Sequence, residues 1–510
     1  MEDQQPSPAL PAQGVTAKTV LSGAWMYGGS LVTSVVNLGV MAILARQLRP
    51  ADFGLVALAQ VLLRFLAVLG SSGVGEYVIY DRANGREDRV QAAFWLGQSM
   101  SLVVVLVGLV AVPLLTQFYT EPDLDKLLLV MLIAYLLMQL STVPDALVKR
   151  TLDYQKLVIR DTVLEILASF GMVGMALAGF GVWSLVIPNL LVAPLRAILV
   201  MFMAHWFPKF PLRMRLWKGI FKFSANVVGT TLATTIATEG DTLIIGKSLG
   251  TESLGLYNLA WQSANLVSRN VASVIGKLAM PALSAVAREP ARLRTAFYRM
   301  IRVLGIISFP LLVGLFVVAD KFIVTVYGLQ WIPSIVPFQI LLIYAMRQAV
   351  GSPASVIYNV VGRPDIGLKF NLGFIPFYLF SIWLGSFYGI IGVAIGVTVA
   401  RTIGGMVAFW IAAHIIDGSF IDVLVEFGQP LVASVLMGLV VFGFRLLLEI
   451  FKLPQWQELL TLVGIGGITF FILLVTAYRR LLGDLITIVE SLSHPAASFI
   501  KCLTSNKGIS

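Results

Sequence analysis

Long apolar stretches alternate with short charged or Pro/Gly-bearing breaks along nearly the whole chain. Runs such as "SLVVVLVGLVAVPLLTQF" (Ser101 to Phe118) and "LLLVMLIAYLLMQLSTV" (Leu127 to Val143) are apolar on successive residues, over roughly the 20 residues a helix needs to cross hydrocarbon. A membrane β-barrel would instead alternate apolar and polar positions in segments of about 10 residues, so the pattern predicts helices. Division at the breaks gives about fourteen spans by that length criterion: 19–46, 53–79, 91–118, 125–148, 158–179, 181–205, 221–248, 253–281, 297–320, 334–360, 366–387, 389–413, 430–450 and 457–478. The expected fold is an all-α integral membrane protein. Its expected parts are a disordered tail over 1–18, a lobe of six spans over 19–205, a linker over 206–220, a second six-span lobe over 221–413, a helix pair over 430–478 and a tail over 479–510.

The distribution of basic residues orients these spans. With the N-terminus inside, 24 of the 37 Lys and Arg fall in breaks or toward span ends on one side and 7 on the other. The positive-inside rule then puts both termini in the cytoplasm, and the turn at Arg49 to Asp52 on the opposite side of the membrane. The opening "MEDQQPSPALPAQGVTAKT" lacks the basic region and cleavage site of a signal peptide and reads as a cytoplasmic tail.

Composition agrees: 58% of residues are hydrophobic and 13% charged. The net charge of +10 comes with no polar domain that interleaves basic and aromatic residues. It therefore serves topology and anionic headgroups rather than nucleic acid. The one cysteine, Cys502, forms no disulfide within the chain, and His205, His414 and His494 are too scattered for a metal site.

An internal repeat is visible. "ILARQLRPADFGLVALA" (Ile43 to Ala59) aligns without a gap on "IIGKSLGTESLGLYNLA" (Ile244 to Ala260) at an offset of 201 residues, matching Gly54 with Gly255 and Ala59 with Ala260. Upstream, Gly28, Ser30, Thr33, Ser34 and Asn37 align with Gly229, Thr231, Thr234, Thr235 and Thr238. Six spans separate the copies, so they run the same way through the membrane. Parallel repeats imply two lobes about an axis along the membrane normal, with a binding site between them.

The six Lys and Arg left over, Arg64, Arg196, Arg269, Lys277, Arg347 and Arg401, fall within spans. Arg64 is about 16 Å deep by helical rise, near the middle of a core of about 30 Å. A guanidinium there costs from about 2.5 to over 10 kcal/mol unless it faces protein or water. Gln60, Arg64, Ser71 and Gly75 share one side of a helix. In the second copy Asn258, Gln262, Asn265, Arg269, Ser273 and Gly276 follow at steps of 4, 3, 4, 4 and 3, a continuous polar stripe. Tyr344, Arg347, Gln348, Ser352, Ser355 and Asn359 form a wider polar face, whereas Arg196 and Arg401 lie off such a stripe. Packing alone is the plainer reading of any single member, since Ser, Thr and Gly are common where helices touch. Arginines repeated on three polar faces describe a wet cationic cleft instead. Such a cleft suits an anion, because guanidinium forks hold phosphate or carboxylate oxygens and stay charged at any pH.

The basic end of the first span and the turn "LRPADFGLVALAQ", with its copy "KSLGTESLGLYNLAWQ", resemble the polysaccharide transporters of the MOP superfamily, the Wzx-type flippases related to MurJ and more distantly to MATE exporters. The resemblance covers residues 18 to 480 and specifies a family better than a cargo. It implies fourteen helices in two lobes of six plus a C-terminal pair. It also implies alternating access that carries an undecaprenyl-pyrophosphate-linked oligosaccharide, a repeat unit of exopolysaccharide, capsule or O-antigen, to the periplasmic leaflet. Family cations of the central cavity match Arg64 and Arg269. MurJ-like proteins also carry cations in the first span, where this chain has only Ser, Thr and Asn. That argues against a peptidoglycan precursor.

On this reading Arg64, Arg269 and Arg347 bind the pyrophosphate, and Asn37, Gln60, Thr234, Asn258, Gln262, Asn265 and Gln348 face the sugars. Glu239 and Asp241, acids beside an intramembrane polar face, are expected to bind a coupling proton or sodium ion. Glu76 and Lys277, equivalent at the offset of 201, are expected to pair as a gate. No cofactor is expected beyond the coupling ion, and the expected partners are the lipid-linked cargo, membrane lipids and the machinery that polymerises and exports the sugar. Three alternatives stand beside this. A MATE-like drug or cation exporter would want carboxylates at the cavity centre, and a polysaccharide polymerase or ligase would want a large periplasmic loop and a catalytic constellation. An uncoupled scramblase or channel would share the same composition.

Overall fold

The structure, a computed structural model, describes residues 32–71, 73–80, 87–151, 154–210, 214–451, 453–478 and 483. The expected tails, with Cys502, lie outside the described residues. Every regular element within them is helical. In order these are α1 (Val32–Gln47), α2 (Pro50–Ser71), α3 (Val74–Tyr80), α4 (Glu87–Tyr119), α5 (Leu124–Gln139), α6 (Thr142–Arg150), α7 (Tyr154–Leu177), α8 (Ile187–Ala204) and α9 (Trp217–Ser248). They continue as α10 (Gly250–Ala285), α11 (Pro290–Val317), α12 (Ala319–Val326), α13 (Ile335–Ala349), α14 (Ser352–Val360), α15 (Pro364–Ser386), α16 (Gly389–Ile415), α17 (Phe420–Leu448) and α18 (Gln455–Thr476).

Among the described residues, 10 stretches are long and apolar enough to cross a membrane. The other four expected spans coincide with α1, α7, α9 and α10. The described part of α1 is short, and the remaining three carry the polar positions that lower their hydropathy: Arg160, Asp161 and Glu165 on α7, the threonines of α9 and the stripe of α10.

Three expected spans are each broken in two. Gly73, at φ 97°, separates α2 from α3, a left-handed conformation that glycine adopts without strain. The α5–α6 and α13–α14 breaks are followed by Pro144 and Pro353, each inside the first turn of the new helix. There a missing N–H removes no intrahelical bond, so proline favours a fresh start over continuation.

By its contacts the chain divides into two compact units, residues up to 48 with 58–236, and 49–57 with 237 onward. In the first, Val74, Val78, Phe94, Val143 and Ile220 form a core. The expected linker at 206 begins as a strap on α4. The Gln91 amide donates to the Phe207 carbonyl (3.2 Å) and accepts from Lys209 N–H (2.8 Å), and Trp95 Nε1 donates to the Lys209 carbonyl (3.0 Å). Lys209 Nζ pairs with Glu87 at 2.6 Å.

The second unit contains a symmetric crossing that the repeat alignment explains. A Cβ at Gly54 would overlap the Thr251 carbonyl, and a Cβ at Gly255 would overlap the Pro50 carbonyl. All four residues correspond at the offset of 201, so the two repeated turns meet backbone to backbone, which only glycine permits. Phe53 packs edge-on against the buried Trp331 beside them (centroids 5.3 Å). Elsewhere in this unit α15 and α16 touch through Gly385, Gly392 and Gly396. Three ion pairs fasten the last helices: Arg302–Glu426 (2.6 Å), Arg445–Asp320 (2.8 Å) and Lys321–Glu458 (2.9 Å). The helix expected from 430 begins at Phe420, because Ser419 caps it by accepting from Ile421 N–H at 3.1 Å.

Candidate functional site

On α2, Gln60 and Arg64 are exposed and one turn apart, while Val61, Leu62 and Val68 beside them are buried. This is the two-sided helix that the polar spacing predicts. On α10 the stripe is internally bonded: the Gln262 amide donates to Asn258 Oδ1 at 3.2 Å, and Asn265 Nδ2 donates to the Trp261 carbonyl at 2.8 Å. Asn265 is buried and its Oδ1 has no hydrogen-bond partner among the described residues. The side chains of Arg269 and Lys277 lie outside the described residues, so the pyrophosphate role of the first and the gate role of the second carry no geometry. Glu76, the other half of the expected gate, is exposed on α3, and Thr234 is exposed on α9.

The break between α13 and α14 gathers unmet polar atoms. Arg347 Nε, Gln348 Oε1 and Ser352 Oγ are all buried without a hydrogen-bond partner among the described residues. Arg347 lies over the Tyr344 ring, Cζ to centroid 5.5 Å. Its guanidinium rests on α16 at Gly405, where a Cβ would fall on it. Buried polar atoms are ordinarily satisfied, so three orphans within six residues mark a place where water or a polar ligand belongs.

Arg401, which lay off any polar stripe, proves to be the most elaborately surrounded cation of the second unit. Its Nη2 donates to Tyr378 Oη (2.6 Å) and to the Ala237 carbonyl (3.1 Å), and its Nη1 donates to Tyr344 Oη (3.3 Å). The rings of Tyr378, Trp261 and Tyr344 lie 4.5, 5.1 and 5.5 Å from its Cζ. Tyr257, Trp261 and Tyr344 stack in sequence, at 6.2 and 5.4 Å with near-parallel planes. Asp241, 2% exposed, stands one turn beyond Ala237 on α9. It accepts from Tyr257 Oη (3.0 Å) and Thr242 N–H (2.9 Å). Its companion Glu239 is half-buried on the same helix. The missed signal is the Tyr257–Trp261 pair, one turn apart on α10, which an apolar count treats as lipid-facing bulk.

The first unit holds a second cluster that the spacing did not reveal. Arg160 binds Asp145 of α6 (2.6 Å) and its own neighbour Asp161 (2.7 Å), and Arg196 of α8 approaches the same Asp161 at 3.9 Å. One turn along α7, Glu165 accepts from Asn37 Nδ2 of α1 at 2.8 Å. Asn37, expected to face sugar, is thus occupied by a carboxylate. The count of Lys and Arg by side leaves such acids unread.

The polysaccharide biosynthesis protein family matches residues 43–336. The chain is 24% identical to the teichuronic acid biosynthesis protein TuaB of Bacillus subtilis, over 91% of this chain and 96% of that protein. It is likewise 24% identical to the succinoglycan biosynthesis transport protein ExoT of Rhizobium meliloti, over 96% and 99%. Among solved structures, the lipid II flippase MurJ in an inward closed conformation superposes with a TM-score of 0.76 at 14% identity, covering 90% of this chain and 99% of that one. An all-helical chain with broken spans and intramembrane cations, matched over more than half its length, belongs to the polysaccharide biosynthesis protein family.

Proposed function

We propose that this protein carries an undecaprenyl-pyrophosphate-linked oligosaccharide from the cytoplasmic to the periplasmic leaflet of a bacterial inner membrane, by alternating access and without catalysis. Similarity to ExoT, whose name describes biosynthetic transport, supports the transport reading, and the MurJ fold supplies a frame suited to moving a lipid-linked sugar. The observation that carries the site is the trio of unmet polar atoms at Arg347, Gln348 and Ser352. They offer a cation, an acceptor and a hydroxyl to a headgroup, and a phosphate bound there relieves the cost of burying them.

On this reading Arg64, Arg269 and Arg347 hold the pyrophosphate in mid-transit, and Gln60, Thr234, Asn258, Gln262, Asn265 and Gln348 contact the sugars. The prenyl chain stays in lipid. Guanidinium forks bind phosphate oxygens in pairs, which explains arginine rather than lysine at all three positions. A coupling proton or sodium ion meets Glu239. A MATE-like exporter of organic cations would be repelled by these arginines, so the anionic cargo is the better match.

The test is export in cells carrying Arg64→Ala, Arg269→Ala or Arg347→Ala at normal protein level. Each charge-assisted phosphate contact is worth about 1.5 to 3 kcal/mol, so each variant should lose about tenfold or more in polysaccharide export while lipid-linked oligosaccharide accumulates. Lysine at the same positions restores part of the loss. Normal export from all three alanine variants would overturn the assignment.

A further inference from the structure

We infer that a groove beneath the strap of the first unit holds one acyl chain of an anionic phospholipid, whose headgroup rests on the basic stretch leading into α9. The groove has a volume of about 350 Å³ and lies between Leu66 of α2, the stretch from Leu96 to Val107 of α4, and Trp217 and Phe221 of α9. Its apolar lining on α4 follows steps of 4, 3, 1 and 3 from Leu96 through Met100, Val103 and Val104 to Val107, which is one face of a helix. Leu96 and Val104 are 5% and 4% exposed and form the floor, whereas Val103 and Phe221, at 58% and 54%, mark the open side. Ser99, the one hydroxyl in the lining, already donates to the Trp95 carbonyl at 2.8 Å.

The position of the groove argues what fills it. The strap bonds to α4 at Gln91 and Trp95, and the groove begins at the next residue, Leu96. From Leu96 to Val107 the helical rise is about 16 Å, half of a hydrocarbon core of about 30 Å. The groove therefore runs through the depth of a single leaflet, starting from the level where Trp95, Trp206 and Trp217 gather on one core, as indoles do at a membrane interface. Along the strap and the start of α9 the charge is of one sign: residues 206–222 carry Lys209, Arg213, Arg215, Lys218 and Lys222 and no acid. Lys209 is taken by Glu87 at 2.6 Å, while Arg215 and Lys218 are exposed on either side of Trp217 in sequence. A lipid of the surrounding belt meets a smooth apolar wall and exchanges whatever its head. Here a walled slot for one chain adjoins a cationic rim, so the chain fixes where the head lies and the rim selects its charge. An undecaprenyl chain is several times too long for a slot of one-leaflet depth, which favours a fatty chain.

The experiment counts phospholipid retained by the full-length protein in native mass spectrometry, after dioleoyl phosphatidylglycerol and dioleoyl phosphatidylcholine are added in equal amounts in detergent. Cargo is absent, so this result and that of the export assay are independent. Attraction to one nearby Lys or Arg is worth about fivefold in binding an anionic head, so wild type should retain phosphatidylglycerol at least about fivefold over phosphatidylcholine. Arg215→Gln with Lys218→Gln, at two exposed positions, should bring that preference near parity. Val103→Trp, which fills the groove from its open side, should lose the retained phosphatidylglycerol although the basic rim is intact. In vesicles, quenching of Trp217 by chain-brominated phosphatidylglycerol, read as the difference between wild type and Trp217→Phe, should exceed quenching by brominated phosphatidylcholine. Equal retention of both lipids by wild type, a preference that survives the double glutamine variant, or phosphatidylglycerol held undiminished by Val103→Trp overturns the proposal. Displacement of phosphatidylglycerol by undecaprenyl phosphate overturns it too, and gives the groove to a prenyl chain. Should Val103→Trp not fold, equal quenching of Trp217 by the two brominated lipids is the result that overturns it.

Discussion

Arg160 and Arg196 of the first unit are answered by carboxylates, whereas Arg401 of the second is answered by rings, hydroxyls and a main-chain carbonyl. Arg196 and Arg401 lie on the sixth and twelfth expected spans, and the two cations are held in different ways. Exposure of the partners goes with the difference between Arg160 and Arg401. Arg160 comes early in α7, and its partner Asp161 is 45% exposed, so water shares the cost of keeping several charges together. Arg401 stands midway along the 27 residues of α16. There a naked carboxylate cluster would be expensive, and aromatic faces supply attraction without further charge.

The largest effect expected from breaking this contrast is at Arg160, whose side chain is 3% exposed. Arg160→Ala leaves Asp145 and Asp161 facing each other with only the distant Arg196 nearby. Removal of one partner from a buried pair costs about 3 to 5 kcal/mol. Thermal unfolding in detergent should therefore show a pronounced loss of stability, partly recovered when Asp145→Asn is added. An unchanged melting temperature in the single variant would mean that water, not the ion pairs, supports this cluster.

At the aromatic cage the expected cost is smaller, because several weak partners share one cation. Tyr378→Phe keeps the ring but deletes the acceptor 2.6 Å from Arg401 Nη2. A hydrogen bond to a charged group is worth about 1.5 to 3 kcal/mol. Trp261→Leu keeps an apolar side chain but deletes a face 5.1 Å from Cζ, and a desolvated cation–π contact is worth up to about 2 kcal/mol. The two variants should lower the melting temperature by comparable amounts and, sharing one guanidinium, should be non-additive when combined. Strict additivity would deny that the cage acts as a unit.

The helices of this protein were legible because membrane spans announce themselves by unbroken apolar length, and the repeat was legible because the turn at Gly54 and Gly255 must be short and free of side chains. The breaks at Gly73, Ser141 and Gly351 were less so, since each interrupts a stretch whose hydropathy continues across it. As candidates, the polar spacing singled out Gln60, Arg64, Asn265, Arg347 and Gln348, all on faces that recur with helical period. It could not find Arg401, whose partners Ala237, Tyr344 and Tyr378 come from three other helices and leave no period on its own. Nor could it weigh Asp161 and Glu165. In one dimension they are charges near a helix start, and only the packing of α6, α8 and α1 around α7 shows what they hold.

The smallest effect belongs to Arg196, which sharpens the comparison between the sixth and twelfth spans. It approaches Asp161 at 3.9 Å, and its side chain is 29% exposed against 45% for the acid. Pairs of this kind contribute less than about 1 kcal/mol and weaken with salt. Arg196→Gln should therefore shift the melting temperature slightly, and the shift should shrink as ionic strength rises. Arg401→Gln should cost more and respond little to salt, because its partners are rings, hydroxyls and a main-chain carbonyl, which carry no net charge to screen. Equal salt dependence at both positions would show that the two cations are held by the same kind of charge pairing. A cycle of Arg196→Gln with Asp161→Asn separates their direct pairing from the hold that Arg160 keeps on the same acid. A coupling near zero is expected while Arg160 is present, and a larger one once Arg160→Ala leaves Arg196 as the nearest cation to Asp161.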